Sequence, residues 1–264
     1  MIPVSIILPT YNEAENILGS IADIADTLGM ATYEIIVVDD DSPDGTSALV
    51  REAAETRPRL RLITRKSDRG LIPSIREGIK AARYDTCVWL DADQSMKAEA
   101  IPRLVAEIIG GADLAIGSRY IEGGGVKGSN GETKALMPIR RRLKSTGDSF
   151  FQVVLSMMGN WCLRRLLTPA VTDYTSGYYA VKKDVAETLD LEGTYVDYCI
   201  RFAYKAWLWG YEVREVPVVI YPRMGGESKT AVSISGLCAI SLGCLWVAFR
   251  LKMNRKKIQA AKPG

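Results

Sequence analysis

The sequence predicts an α/β fold built on a mostly parallel, doubly wound sheet. From residue 3 to about residue 120, short apolar runs alternate with amphipathic stretches of about three helical turns. That alternation is the pattern of consecutive βαβ units. Acidic residues stand at the ends of two of these runs, in Asp39-Asp40-Asp41 and Asp91-Ala92-Asp93. Open parallel sheets bind ligands at the carboxyl ends of strands, where strand order reverses. The acids therefore mark a candidate site as well as a fold.

Residues 4–8 form the first predicted strand, which runs into Pro9. Residues 13–28 carry helical periodicity, with Asn12 as the N-cap. Strands follow at 34–38, 60–64, 86–90 and 113–118, and helices at about 45–56, 72–82 and 98–109. The stretch Gly123-Gly124-Gly125-Val126-Lys127-Gly128-Ser129-Asn130-Gly131 reads as part of a mobile loop over 121–134.

Residues 140–167 read as an amphipathic helix, broken near Gly147. Ser149, Gln152, Ser156, Asn160 and Arg164 recur every three to four positions, opposite Phe150, Phe151, Val154, Leu155, Met158 and Trp161. The competing reading is a core helix of the same domain. The basic flank Arg140, Arg141, Arg142 and Lys144 and the aromatic content favour a membrane-surface helix. Next come the segment Asp173-Tyr174-Thr175-Ser176-Gly177-Tyr178, a short strand, a helix over 196–209 and a strand over 211–220.

Residues 231–249 carry no charge. They approach the roughly 20 apolar residues that a membrane span needs, so a C-terminal apolar membrane helix is expected. A single span would put Arg250, Lys252, Arg255, Lys256 and Lys257 opposite the catalytic domain, although basic residues favour the cytosol. An interfacial or re-entrant helix, pairing with another subunit, or a further span would each resolve this. The sequence leaves all three open. The domain reading is 1–230 for the catalytic domain and 231–264 for a membrane-associated helix and basic tail.

With 47% hydrophobic and 25% charged residues, the 264-residue chain is neither disordered nor wholly membrane-embedded. A formal charge of +3 gives no case for a nucleic-acid partner, whereas the two basic clusters suit anionic lipid. The five cysteines are scattered without C-x-x-C spacing and read as reduced thiols. With no histidine in the chain, histidine-based triads and histidine metal sites are excluded within it. No basic leader precedes the first strand, so the expected location is a membrane with the catalytic domain on its cytoplasmic face.

Two acids one residue apart at a strand end offer hard oxygen ligands that suit Mg²⁺ or Mn²⁺ holding a diphosphate. Asp91-Ala92-Asp93 is accompanied, in order, by Pro9-Thr10-Tyr11-Asn12-Glu13, Val37-Val38-Asp39-Asp40, Ile116-Gly117-Ser118-Arg119-Tyr120, Ser176-Gly177 and Arg223-x-x-Gly226-x-Ser228-Lys229. This ordered set, over about residues 3–230, resembles the inverting family 2 glycosyltransferases with a GT-A fold, nearest to the polyprenyl-phosphate mannose synthases.

The resemblance implies a nucleotide-sugar donor, a polyprenyl- or dolichyl-phosphate acceptor and a Mg²⁺ or Mn²⁺ cofactor. It implies that Pro9, Tyr11, Glu13, Asp40, Asp91, Ala92 and Asp93 hold the donor, that Asp39 supports Asp40, and that Asp91 and Asp93 meet the metal. Arg119, Arg223 and Lys229 are implied as cations for phosphate, and with Asp93 as the catalytic set. Arg140, Ser176 and Gly177 join these cations on the acceptor side, and Asp173 matches the acid just upstream in that motif. Asp197 lies near the position of a catalytic acid in other family 2 enzymes. The related synthases carry Asp-Ala-Asp-x-Gln. Here Gln94 stands one place early and Ser95 occupies the Gln position, where a water can complete a Mg²⁺ shell.

Transfer to an alcohol needs a general base, whereas a phosphate oxyanion is already ionised, in keeping with a chain that lacks histidine. The expected reaction moves a hexose, mannose from GDP-mannose, to a polyprenyl phosphate with inversion. The alternatives are UDP-glucose or another donor, or a different acceptor. A nucleotidyltransferase would carry a glycine-rich basic loop where Tyr-Asn-Glu stands, and a dinucleotide oxidoreductase would carry G-x-G-x-x-G after the first strand. A homo-oligomer or a small membrane subunit stays open as a further partner.

Overall fold

The structure is a computed structural model that describes residues 2–126, 148–221 and 234–263. Its strands are β1 (Val4–Thr10), β2 (Tyr33–Asp39), β3 (Leu60–Thr64), β4 (Thr86–Trp89), β5 (Leu114–Ser118), β6 (Gly125–Val126), β7 (Tyr179–Lys182), β8 (Val213–Pro217) and β9 (Val219–Ile220). Among the described residues the main sheet runs β3-β2-β1-β4-β7-β5-β8, and β6 pairs with β9 in a separate ribbon. Order progresses outward from β1 to β3, then restarts on the other side of β1 with β4. The switch point therefore lies between the carboxyl ends of β1 and β4.

β1 and β2 are buried almost throughout, as strands covered on both faces must be. Ile6 and Leu8 face one layer, against Ile17, Ile21 and Ile24 of α1 (Ile17–Leu28), Val50 of α2 (Thr46–Thr56) and Leu104 of α4 (Ile101–Ile109). Ile7 faces the other layer, with Ile75 and Ile79 of α3 (Leu71–Ala81). Gly78 lets α3 lie directly on β1, since a Cβ there would fall 2.4 Å from Ile7 Cγ2. On that layer Trp89, Tyr179 and Phe202 pack ring to ring, with centroids 5.2–5.7 Å apart.

The sheet is mostly parallel, as the sequence predicts, with one antiparallel strand. β7 runs antiparallel to both β4 and β5, with Tyr179 facing Trp89 on one side and Ile116 on the other. The predicted strand over 211–220 divides into β8 and β9, which belong to different sheets. Asn12 is not a helix cap. Its φ of 55° is left-handed, its N–H donates to Ser42 Oγ, and α1 begins four residues beyond Glu13.

Helix α5 (Asp148–Leu166) turns Ser156 and Asn160 of its polar stripe inward. Asn160 is buried and Ser156 bonds Tyr120, while Met158 and Trp161 are 60% and 58% exposed. Helices α6 (Lys183–Leu189) and α7 (Asp197–Leu208) complete the layer around Phe202. Helix α8 (Ile234–Met253) lies along the domain with Cys244 and Ala248 buried, and leaves Leu242, Trp246 and Phe249 exposed. The following helix α9 (Arg255–Ala260) returns to the same domain, where Trp209 Nε1 donates to the Ile258 carbonyl at 2.8 Å. Among the described residues no helix is long and apolar enough to cross a membrane. Within the described residues of the 231–249 run, the helix packs on the domain through Cys244 and Ala248, with one apolar side outward.

Candidate active site

A cavity of about 410 Å³ opens at the β1/β4 switch point. Pro9, Tyr11 and Glu13 line it from the segment that ends β1, and Asp40 from the residue after β2. Asp91, Ala92 and Asp93 line it just beyond β4. Seven of the eight residues expected on the donor side thus line one cavity, and Asp39 is buried outside its lining. Thr10, Arg69, Gly70, Leu71, Ser74, Thr194 and Tyr195 also line the cavity without having been singled out from the sequence. Thr10 ends β1, and Arg69 and Gly70 follow β3, where the strand-end rule could have found them; Leu71 and Ser74 belong to the first turn of α3.

Asp39 and Asp40 divide the work at the end of β2. Asp39 is fully buried and accepts Thr10 Oγ1 at 2.9 Å, Ser42 Oγ at 2.6 Å, Ser42 N at 3.0 Å and Ser47 Oγ at 2.7 Å. It fixes the turn that presents its neighbour. Asp40 reaches the cavity, pinned by Arg65 Nη1 at 2.9 Å, Ser74 Oγ at 3.0 Å and Gly70 N at 2.6 Å. Glu13 Oε2 accepts Asn16 Nδ2 at 3.0 Å, and the Glu13 N–H donates to Thr46 Oγ1.

Asp91 and Asp93 are the oxygen donors that could hold a divalent cation. Asp93 is buried, and its Oδ1 accepts the Ser95 N–H at 2.9 Å. No cluster of three acidic, histidine or cysteine side chains surrounds a cation position among the described residues. Two carboxylates on one cavity wall fit a hard cation that takes its other ligands from phosphate and water. Gln94 does not join them. It adopts φ 62° and sends Nε2 to the Asn16 carbonyl at 3.2 Å, beside Gly19, where a Cβ would stand 2.2 Å from that nitrogen. Ser95 is tied by its carbonyl to the Tyr221 N–H at 2.9 Å.

Arg119, one residue beyond β5, lies outside the cavity lining and grips Asp173. Its Nε and backbone N–H donate to Asp173 Oδ2 at 2.7 and 3.0 Å, and Nη2 donates to Oδ1 and to Thr175 Oγ1, both at 2.7 Å. Burial alone would lower the guanidinium's pKa, but the Asp173 carboxylate outweighs it and raises the value above its ordinary range. Nη1 makes no hydrogen bond among the described residues. Ser176 is buried, with its Oγ accepting from the Tyr178 N–H, next to this pair. A Cβ on Gly177 would meet only ordinary contacts, 3.4 Å from Tyr198 Oη. Packing within the described chain therefore does not demand glycine there.

Asp197 accepts the N–H groups of Thr194 and Tyr195 at 2.9 and 3.3 Å, and Arg201 Nε at 2.9 Å. Burial opposes its ionisation, but these partners hold the carboxyl below its ordinary range. It shapes the rim that carries Tyr195. Arg140, Arg223 and Lys229 lie outside the described residues.

Residues 5–178 match glycosyl transferase family 2. A dolichol-phosphate mannosyltransferase of Pyrococcus furiosus is 35% identical over 86% of this chain, which spans 58% of that longer protein. A polyprenol monophosphomannose synthase of Mycolicibacterium smegmatis is 36% identical over 86% of this chain and 81% of its own. An undecaprenyl-phosphate mannosyltransferase of Micrococcus luteus is 30% identical over 94% and 98%. In three dimensions the fold is similar to glucosyl-3-phosphoglycerate synthase from Mycobacterium tuberculosis, crystallised with Mn²⁺, UDP-glucose and phosphoglyceric acid. The TM-score is 0.64 over 96% of this chain and 80% of that one, at 17% identity. The α/β domain with its switch-point cavity is thus a GT-A fold, and the chain belongs to glycosyl transferase family 2.

Proposed function

We propose that this chain transfers a hexose, mannose from GDP-mannose, to a polyprenyl phosphate with inversion, at a membrane surface. The observation that carries the proposal is the cavity wall that joins Pro9, Tyr11 and Asp40 to Asp91 and Asp93 across the β1/β4 switch point. Relatives named as polyprenyl-phosphate mannosyltransferases support the acceptor class and the sugar.

The roles follow from placement. Tyr11 and Asp40 suit a nucleoside, through ring contact and an ionised acceptor. Asp91 and Asp93 would hold Mg²⁺ or Mn²⁺, which supplies positive charge for the departing diphosphate. Arg119, with Arg223 and Lys229 of the motif beyond Tyr221, would bind the acceptor phosphate. An acceptor oxygen, already anionic, forms the new bond to the anomeric carbon as the bond to the nucleotide diphosphate breaks. The electron pair leaves with the diphosphate. No proton is removed from the nucleophile, so these residues align and stabilise rather than act as a base.

A lipid surface is supported by the outward side chains Met158, Trp161, Leu242, Trp246 and Phe249, with exposed Arg165 and Arg250 nearby in sequence. On this reading the catalytic domain sits at the cytoplasmic face. The alternative donor is UDP-glucose, the molecule bound in the structural neighbour. An acceptor panel tests the proposal, with polyprenyl phosphate, polyprenyl diphosphate and a soluble glycan supplied in turn with GDP-mannose. Product from the monophosphate alone is expected; product from either of the others in its place moves the acceptor to the second reading.

A further inference from the structure

Helix α5 has an outer side with Met158 and Trp161 exposed and an inner side with Asn160 2% exposed. Asn160 is linked by hydrogen bonds to the acceptor-side cation. Its Oδ1 accepts the Tyr174 N–H at 2.8 Å, and its Nδ2 donates to Thr175 Oγ1 at 2.9 Å and to the Ser156 carbonyl at 3.1 Å. Thr175 Oγ1 is also the acceptor for Arg119 Nη2 at 2.7 Å, and it donates to Asp173 Oδ1 at 3.3 Å. One hydroxyl thus joins the helix amide, the guanidinium and its carboxylate, with both acceptor positions and its single proton in use. A second strut lies alongside, where Tyr120 Oη meets Ser156 Oγ at 2.7 Å, and the Tyr120 ring lies 5.0 Å beneath the Arg119 guanidinium. Glu215 of β8 fixes the far side of the loop by accepting the N–H groups of Thr172 and Asp173, each at 2.9 Å.

A buried Asn in the middle of a helix needs a reason, because the helix gains nothing from it and an unpaired amide is costly. Each of its polar atoms is used on the 173–175 loop or on the preceding helical turn, and the cation that hydrogen-bonds to this loop among the described residues is Arg119. We propose that Asn160 is a positioning residue for acceptor recognition. It locks the Tyr174–Thr175 loop so that the Arg119 fork stays on Asp173 and its remaining Nη1 is left for the acceptor phosphate. The helix that meets the lipid surface then also sets the geometry of the phosphate cation. This inference rests on the reading that Arg119 binds the acceptor.

The test compares the wild-type chain with Asn160→Ala and Asn160→Asp. Two affinities are read, one for a short isoprenyl monophosphate and one for GDP with Mg²⁺, alongside transfer to polyprenyl phosphate and Tm. Asn160→Ala is expected to weaken the monophosphate by about tenfold, the loss of roughly one hydrogen bond to a charged network, and to leave GDP within about twofold. Asn160→Asp keeps the acceptor for Tyr174 but adds a negative charge beside Asp173, so it is expected to weaken the monophosphate further. A purely structural role would lower Tm and move both affinities together. That outcome, or an unchanged monophosphate affinity in a transferring wild type, overturns the inference and leaves the proposed function standing. A wild type that neither binds the monophosphate nor transfers to polyprenyl phosphate overturns both.

Discussion

Arg119 and Asp173 meet as a two-pronged pair, Nε to Oδ2 and Nη2 to Oδ1, each at 2.7 Å, with Asp173 fully buried. The carboxylate fixes the plane of the guanidinium, which a lone arginine at the surface, equally charged, would not have. Removing the carboxylate leaves a half-buried cation without its partner. Asp173→Asn is therefore expected to cost about 3 kcal/mol of stability, measured by urea unfolding. Arg119→Lys keeps the charge but loses the fork, and transfer is expected to fall by about 10²-fold with the fold intact.

Asp93 is buried on the cavity wall with one oxygen on the Ser95 N–H. Asp93→Asn keeps the side chain's size and removes the charge that a divalent cation needs. Transfer is expected to drop by at least about 10²-fold, and a titration of Mn²⁺ in the presence of GDP should lose its high-affinity phase. An Asn variant with wild-type rate and metal response would remove Asp93 from the site.

Glu34 is a stability switch far from the cavity. Burial opposes its ionisation, but hydrogen bonds from Arg61 Nη1 at 2.6 Å, the Arg83 N–H at 2.7 Å and Ser5 Oγ at 2.8 Å outweigh it. Its pKa is lowered from the ordinary 4.5. A carboxyl with a depressed folded pKa stabilises the fold above its unfolded pKa, and that stabilisation fades as pH falls through the folded value. Glu34→Gln should remove about 1–3 kcal/mol at pH 7 and flatten the acid limb of stability below about pH 4.5. Chemical unfolding at several pH values reads both effects, and parallel wild-type and variant curves would speak against this role.

Gly78 brings α3 onto β1 with no room for a methyl group, since Ile7 is branched and wholly buried. Gly78→Ala should gain up to about 1 kcal/mol of helix propensity and lose more, by about 1–3 kcal/mol, to overpacking. Net destabilisation in thermal unfolding is the expected result; net stabilisation would mean that α3 can lift away from Ile7.

Much of this was legible in the sequence. The first five strands and their helices follow from apolar periodicity, and the strand-end rule led to Asp40, Asp91 and Asp93. The antiparallel setting of β7 was not legible, because Tyr179–Lys182 is a short run whose residues read alike in either direction. Asn160 was assigned to the polar face of α5 by spacing alone. Spacing gives a stripe but not which side of the helix meets protein, and here Ser156 and Asn160 of that stripe face inward. Arg65, which pins Asp40 from the end of β3, carried no motif, and its role depends on a contact 25 residues away in sequence. The packing of Cys244 and Ala248 of the 231–249 run against the domain was not legible, because it depends on a tertiary surface that hydropathy does not see.

The most direct measurement is the partition of tritiated sugar into the lipid phase, from GDP-mannose and UDP-glucose in parallel, with polyprenyl phosphate and with Mg²⁺, Mn²⁺ or EDTA. Mannose label in the lipid phase, dependent on metal and lost in Asp93→Asn, is the predicted result. Donor binding without label in lipid from either nucleotide sugar would contradict the account, because the Asp91–Asp93 wall would then serve some acceptor other than a lipid phosphate.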